Sequence, residues 1–157
     1  MKIKSSSSSK TGEKFKIAVI LPRFNDSTGE KIFKEVEKTL LEKGVKKQNI
    51  SLFRIPGALE LPFTAKKIAQ SKKFHTIIAL GVIIEGGTDH YEHVCRETYQ
   101  GLMQANLTEK IPTIFGVLTV KNIKQAEERI YKGQEFAESA IEMANFTPKS
   151  YILNPKS

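Results

Sequence analysis

Residues 75–90, HTIIALGVIIEGGTDH, leave this chain few ways to fold. Thr76 to Val82 is a short apolar run rich in β-branched residues, the pattern of a strand buried on both faces of a parallel sheet. The run leads into Gly86-Gly87, where the missing Cβ atoms let a backbone turn tightly and come close to a ligand. Thr88 can then cap a helix that begins near Asp89. The first turn of such a helix offers unpaired amide N–H groups and the positive end of its dipole, which together favour phosphate. His90 falls in that turn, within reach of whatever binds there, so anion binding and proton transfer can share one corner. Gly-Gly turns before helices are common, however, and a lone histidine at a helix start is usually solvated or capping.

Three further strands accompany it. Phe15 to Leu21 (FKIAVIL), Ile50 to Ile55 and Thr113 to Leu118 are apolar and short, and helical patterns separate them. Ser27 followed by Glu30 reads as a capping box opening a helix that ends at Gly44, with Ile32, Val36, Leu40 and Leu41 on its buried face. Pro56-Gly57 turns the chain into a helix through Ala65, Ile68 and Ala69. A longer helix spans about Asp89 to Leu107, and two closing helices cover roughly Ile123 to Ile130 and Gln134 to Asn145. Strands that alternate with helices need right-handed crossovers and a parallel sheet covered on both faces. The expected fold is α/β, a flavodoxin-like three-layer α/β/α sandwich on a four-stranded parallel sheet. Ligands bind such sheets outside the carboxyl ends of the strands, where strand order reverses.

With 157 residues the chain suits one domain, expected over 15–146 between a basic, serine-rich tail at 1–14 and a second tail at 147–157. The net charge of +8 invites a nucleic-acid reading. Its distribution argues against one: residues 1–16 carry +4 and residues 147–157 carry +2, which leaves +2 for everything between. No apolar run reaches the roughly 18 residues of a membrane helix, and the N-terminus lacks the apolar stretch of a secretory signal. A cytoplasmic protein without membrane or nucleic-acid partners is the expectation. The single cysteine, Cys95, excludes an internal disulfide and suits a reducing compartment.

Four motifs follow the four strands: Arg23-Phe24-Asn25, then Ile55 to Pro62 (IPGALELP), then Gly81 to His90, and Ile114 to Thr119 (IFGVLT). Phe24, where the chain leaves the sheet, can stack on a flat heterocycle or close the end of the core. Glu60 can simply complement a helix dipole. Arg129, after Glu127-Glu128, can hold phosphate bidentately or serve as an i, i+4 partner on a solvated face. His90 and His93 stand i, i+3 beside Asp89, but no third strong ligand follows at a characteristic spacing, so no metal is expected. Cys95 lies on a different helix face from His90 and reads as a small buried hydrophobe.

The order and spacing of these four motifs resemble lumazine synthase, the penultimate enzyme of riboflavin biosynthesis, from about Lys16 to Asn145. The resemblance implies that Phe24 stacks on the pyrimidine of 5-amino-6-(D-ribitylamino)uracil. Glu60 would accept hydrogen bonds from the ribityl hydroxyls, and the backbone of Ala58, Leu59, Val82, Ile83 and Ile84 would read the polar edge of the ring. Gly87 and Thr88 would hold the phosphate of 3,4-dihydroxy-2-butanone 4-phosphate, with Arg129 completing the clamp and Lys132 adding charge. Phe115, at the end of the fourth strand, would be lent by a neighbouring subunit. His90 would transfer protons during a condensation that needs no cofactor. A homo-oligomer is implied, at least a pentamer, functionally linked to riboflavin synthase.

The chain departs from the family pattern at three points. Glu85 stands where the family usually has arginine, the loop after Arg129 is roughly five residues shorter, and the N-terminal tail has no counterpart. Two rival readings stay open: a non-catalytic flavin or lumazine binder, and an anion- or RNA-associating protein acting through its lysine-rich tails.

Overall fold

The computed structural model describes residues 12–148. Among them, strands β1 (Ile17–Pro22), β2 (Ile50–Ile55), β3 (Thr76–Ile84) and β4 (Thr113–Val120) form one parallel sheet in the order β2-β1-β3-β4. The helices are α1 (Asp26–Glu42), α2 (Leu61–Gln70), α3 (His90–Thr108), α4 (Ile123–Glu127) and α5 (Lys132–Ala144). Side chains alternate along each strand and so feed two separate cores. Ile17, Val19, Leu21, Ile78 and Leu80 pack beneath α1 and α5, while Ala18, Ile20, Ile77 and Ala79 pack beneath α2 and α3. This is the three-layer, flavodoxin-like arrangement read from the sequence. The chain passes from β1 to β2 on one side and returns to lay β3 on the other, so strand order reverses beside β1.

Helix α1 departs from expectation at its start. No capping box forms: Asn25 takes the cap position in the left-handed conformation (φ 59°, ψ 41°) without a side-chain cap bond, and the helix starts at Asp26, two residues before the start that a Ser27 cap would give. Glu30 is drawn away by Arg54, whose guanidinium also pairs with Asp26 and whose Nε donates to the carbonyl of Leu21. The other end is as read. Gly44 has φ 94°, with the Gly44 and Val45 amides bonded to Leu41 and Leu40, a Schellman closure that a residue without Cβ adopts freely.

Helix α4 is shorter than expected, ending at Glu127, because the amides of Arg129 and Ile130 bond back to Ala126 and Glu127 as a run of turns. At the N-terminal side, Gly12–Lys14 form a turn in which Gly12 bonds to the carbonyl of Lys43. Thr147 and Pro148 of the second expected tail are exposed and outside any helix or strand, and the rest of both tails, residues 1–11 and 149–157, lies outside the described residues.

Helices α1 and α5 meet at their backbones. A Cβ at Gly133 would lie 2.7 Å from both the Ile32 carbonyl oxygen and Glu35 Cβ, so neither helix can accept one without moving. In most helices Gly→Ala is stabilising. Here we expect Gly133→Ala to destabilise by about 1–3 kcal/mol, read as a lower urea midpoint; an unchanged or higher midpoint would mean that the helices are not in backbone contact.

Candidate active site

A cleft of about 380 Å³ opens at the carboxyl ends of the strands, beside the point where strand order reverses. Its origin is a mismatch of pairing. Strand β1 pairs with β3 only from Ile17–Ile20 against Thr76–Ala79, whereas β3 stays paired with β4 as far as Ile84. Beyond Ala79 the edge of β3 that faces β1 therefore has no strand opposite it. Meanwhile β1 leans to β2, and the Arg23 and Phe24 amides extend that ladder by donating to the carbonyls of Ile55 and Pro56 at 2.7 and 3.2 Å. The gap between the diverging strands is the floor of the cleft.

Asn25 spans that gap. Its Nδ2 donates to the carbonyl of Val82 at 2.9 Å, and its left-handed backbone swings the chain from β1 into α1. Asparagine tolerates this conformation better than most residues. Phe24, the residue before it, is held 73% exposed against the cleft. An aromatic ring left so open at a site wall is available to stack on a planar ligand.

The same bond fixes which backbone groups of β3 are free. Val82 turns its carbonyl toward the cleft, and residues two apart in a strand face the same way, so Ile84 does likewise. Residues of the other parity face β4, as the bonds of the Ile77 amide to Pro112 and the Glu85 amide to Val120 show. Ile83 lines the cleft with its side chain. Its backbone, expected to read the ligand, belongs to the β3–β4 ladder, and on the cleft side the strand presents the backbone of Val82 and Ile84 instead.

On the opposite wall, Ala58, Leu59 and Glu60 form one 3-10 turn between β2 and α2, with the Glu60 amide bonded to the carbonyl of Gly57 at 3.3 Å. All three line the cleft, and Leu59 and Glu60 are exposed. The third wall is the turn before α3. Gly86, Thr88 and His90 border the cleft, and Thr88 Oγ1 accepts from the His90 amide at a long 3.4 Å. Neither Gly86 nor Gly87 adopts a positive φ, and a Cβ at either would meet nothing within 4 Å. These glycines are not demanded by a tight turn; they leave the backbone bare on its open side. His90 is the first residue of α3, and its ring is exposed. His93 is engaged elsewhere, with Nδ1 2.9 Å from the Arg96 guanidinium.

Four expected site residues do not line this cleft. Phe115 sits in the amino-terminal half of β4, paired with Ala79 and 6.1 Å from the Tyr99 ring, not at the end of the strand. Arg129 caps its own helix, donating to the Gln125 carbonyl at 2.8 Å, and lies 4.0 Å from Glu128. Lys132 opens α5, with its ammonium 3.4 Å from Glu135 and 5.9 Å above the Tyr131 ring. Gly87 is also absent from the lining, though both of its neighbours belong to it. Glu85, which stands where the family usually has arginine, does not line the cleft either.

Five residues in the lining were not singled out as ligand contacts from the sequence: Pro22, Asn25, Gly57, Tyr91 and Val94. The last two were open to detection. Tyr91, Val94, Thr98, Leu102 and Ala105 recur at helical spacing, and that face of α3 lies toward the sheet. Burial pushes the Tyr91 phenol up, reinforced by the neighbouring Cys95 and, more weakly, by Glu85. Burial likewise raises the Cys95 thiol, which keeps it protonated and suits its reading as a small hydrophobe.

A model of the 6,7-dimethyl-8-ribityllumazine synthase family matches residues 14–147. The chain belongs to this family. Its members are transferases of riboflavin biosynthesis. All the segments that wall the cleft lie inside the matched span, as do Phe115, Arg129 and Lys132. Among the described residues no helix of this lumazine synthase family chain is long and apolar enough to cross a membrane.

Two outcomes follow from this geometry. Asn25→Ala removes the strut to Val82 and places alanine in the left-handed region, so it should destabilise by about 1–3 kcal/mol in urea. Asn25→Gly, which keeps the backbone conformation, should cost less; equal stability of all three proteins would deny the strut. The second concerns α4. Glu127 accepts from Lys31 at 2.9 Å and Thr28 at 2.8 Å, bonds that hold its carboxyl below the ordinary glutamate value. A carboxyl depressed in the fold stabilises above its unfolded value, about 4.5, and loses that contribution as pH falls through the lowered one. Glu127→Gln should therefore flatten the acid side of the urea-midpoint profile relative to wild type, and parallel profiles would refute the tether.

Proposed function

We propose that the protein condenses 5-amino-6-(D-ribitylamino)uracil with 3,4-dihydroxy-2-butanone 4-phosphate to give 6,7-dimethyl-8-ribityllumazine, releasing phosphate and two molecules of water. The observation that carries this reading is the juxtaposition of exposed Phe24 with the unpaired edge of β3 and with His90 at a helix start, around one cleft. Phe24 would stack on the pyrimidine while Val82 and Ile84 bond its polar edge, and Glu60 would take the ribityl hydroxyls. The butanone phosphate would lie toward Gly86, Gly87 and Thr88, with its anion facing the amides of the first turn of α3.

The chemistry asks for repeated proton movement. The primary amine attacks the ketone, and water leaves to give an imine. Elimination of phosphate follows, then attack of the ribityl-bearing nitrogen on the resulting carbonyl closes the ring with loss of a second water. His90 would carry protons to and from the oxygens and carbon involved, a task suited to an imidazole near neutrality. Holding the two substrates side by side supplies much of the remaining acceleration in a bimolecular condensation.

Among the described residues no lysine or arginine lines the cleft of a single chain. This fits assembly of the site between subunits, at least in a pentamer, where Phe115 and the Arg129 turn of one chain border the cleft of the next. The product would pass to riboflavin synthase. The same lack of a cation also favours a second reading, a non-catalytic binder of lumazine or flavin on this scaffold.

The purified protein with both substrates should generate the fluorescent lumazine, and His90→Ala should lower kcat by about 10² to 10⁴. Phe115→Ala should also be impaired. Refolding the two variants together should restore activity, because mixed interfaces contain an intact His90 beside an intact Phe115. No recovery on mixing would sink the shared site, and absence of product with tight lumazine binding would favour the binder.

A further inference from the structure

A second cavity, of about 760 Å³, lies at the opposite end of the sheet, among the loops that lead into β1, β2 and β3. Lys16 immediately precedes β1, Asn49 precedes β2, and Lys72, Lys73 and His75 precede β3. Among the described residues no aspartate or glutamate lines it. None of the three lysine ammoniums forms an ion pair or hydrogen bond among the described residues. Gln48, Asn49 and Ser51 add neutral amide and hydroxyl groups to the same wall.

Two details set this groove apart from scattered surface charge. The first is His75. Its Nδ1 accepts from the Lys16 amide at 2.9 Å while its own amide donates to the Lys16 carbonyl at 2.8 Å, a reciprocal pair that stitches the two loops together. With Nδ1 accepting, the neutral ring carries its proton on Nε2, so the free side of the imidazole is a donor. The second is Lys72. It has φ 59°, just after the C-cap of α2, where glycine is the common choice. A long cationic side chain is kept there against the backbone preference.

The end of α2 opposes an anion, but only with about half an elementary charge spread over its last carbonyls, against three full positive charges. The cavity is within the range of about 300–1,000 Å³ usual for ligand sites, far larger than a single phosphate requires. We propose that this groove binds a compact anion bearing two or more phosphate groups. Lys16, Lys72 and Lys73 neutralise its charge, and the His75 N–H and the polar side chains of β2 and its approach donate to its oxygens. The site is separate from the cleft and does not depend on the function assigned there.

The test is calorimetric titration of the full-length protein with inorganic tripolyphosphate at low salt. Wild type should bind, and binding should weaken steeply as added salt shortens the screening length from about 30 Å to about 3 Å. The Lys16→Gln, Lys72→Gln, Lys73→Gln triple variant should lose at least about tenfold in affinity, one such factor being about 1.4 kcal/mol. Lys72→Gly separates binding from folding: it should weaken binding while keeping or raising thermal stability, since glycine suits its φ. Phe24→Ala should bind as wild type does. Neutralising Lys2, Lys4 and Lys10 to glutamine should leave affinity within about twofold. The proposal is overturned if wild type shows no binding at low salt, or if the triple variant binds equally. It is also overturned if citrate binds as tightly as tripolyphosphate, or if binding follows the N-terminal lysines instead of the groove.

Discussion

The structure turns on a quarrel between two pairings. Strand β1 lies between β2 and β3 and can follow only one of them past its midpoint; it follows β2. Everything that makes a cleft comes from that choice: a bare edge on β3, a gap wide enough for a flat ring, and an exit for the chain that puts Phe24 at the rim. Unpaired strand backbone is costly when shut away from water. The Asn25 side chain satisfies one of the groups left over, at Val82. The device that limits the cost of the gap also holds its aromatic wall.

Arg54 supports the same arrangement from behind. It touches the end of β1 through Leu21 and the start of α1 through Asp26 and Glu30. Such partly exposed pairs contribute modest free energy singly. Their worth here is geometric, because they join β2 to both ends of the Arg23-Phe24-Asn25 turn. A flexible turn would pay ordering entropy each time a ligand stacked on Phe24, and a fixed one does not.

Layer order, strand direction and the end of the sheet that carries the cleft were legible in the sequence because they depend on period and burial, which a single chain displays. Phe24, Ala58 to Glu60, Val82 to Ile84, Thr88 and His90 all reach the cleft for the same reason: each lies at or just beyond the carboxyl end of a strand. What was not legible had a different physical origin. Ser27 and Glu30 have the spacing of a capping box, yet Arg54, distant in sequence, claims Glu30, and Asn25 moves the helix start. The parity of Val82, Ile83 and Ile84 depends on which neighbour the β3 edge faces, which no local pattern encodes. Phe115 and Arg129 lie off the cleft of their own chain, because Phe115 pairs in the first half of β4 and Arg129 turns back onto the Gln125 carbonyl, contacts that no local spacing displays. The α3 face through Tyr91 and Val94 is readable from its helical period, which Thr98, Leu102 and Ala105 continue.

The turn made by Gly86 and Gly87 touches nothing where its side chains would be, and its backbone is one that ordinary residues adopt. Stability therefore places no constraint on what stands there. Bulk could be added at the mouth of the cleft without disturbing the core, which makes these two positions a dial for the size and charge of admitted ligands, set by selection on chemistry alone.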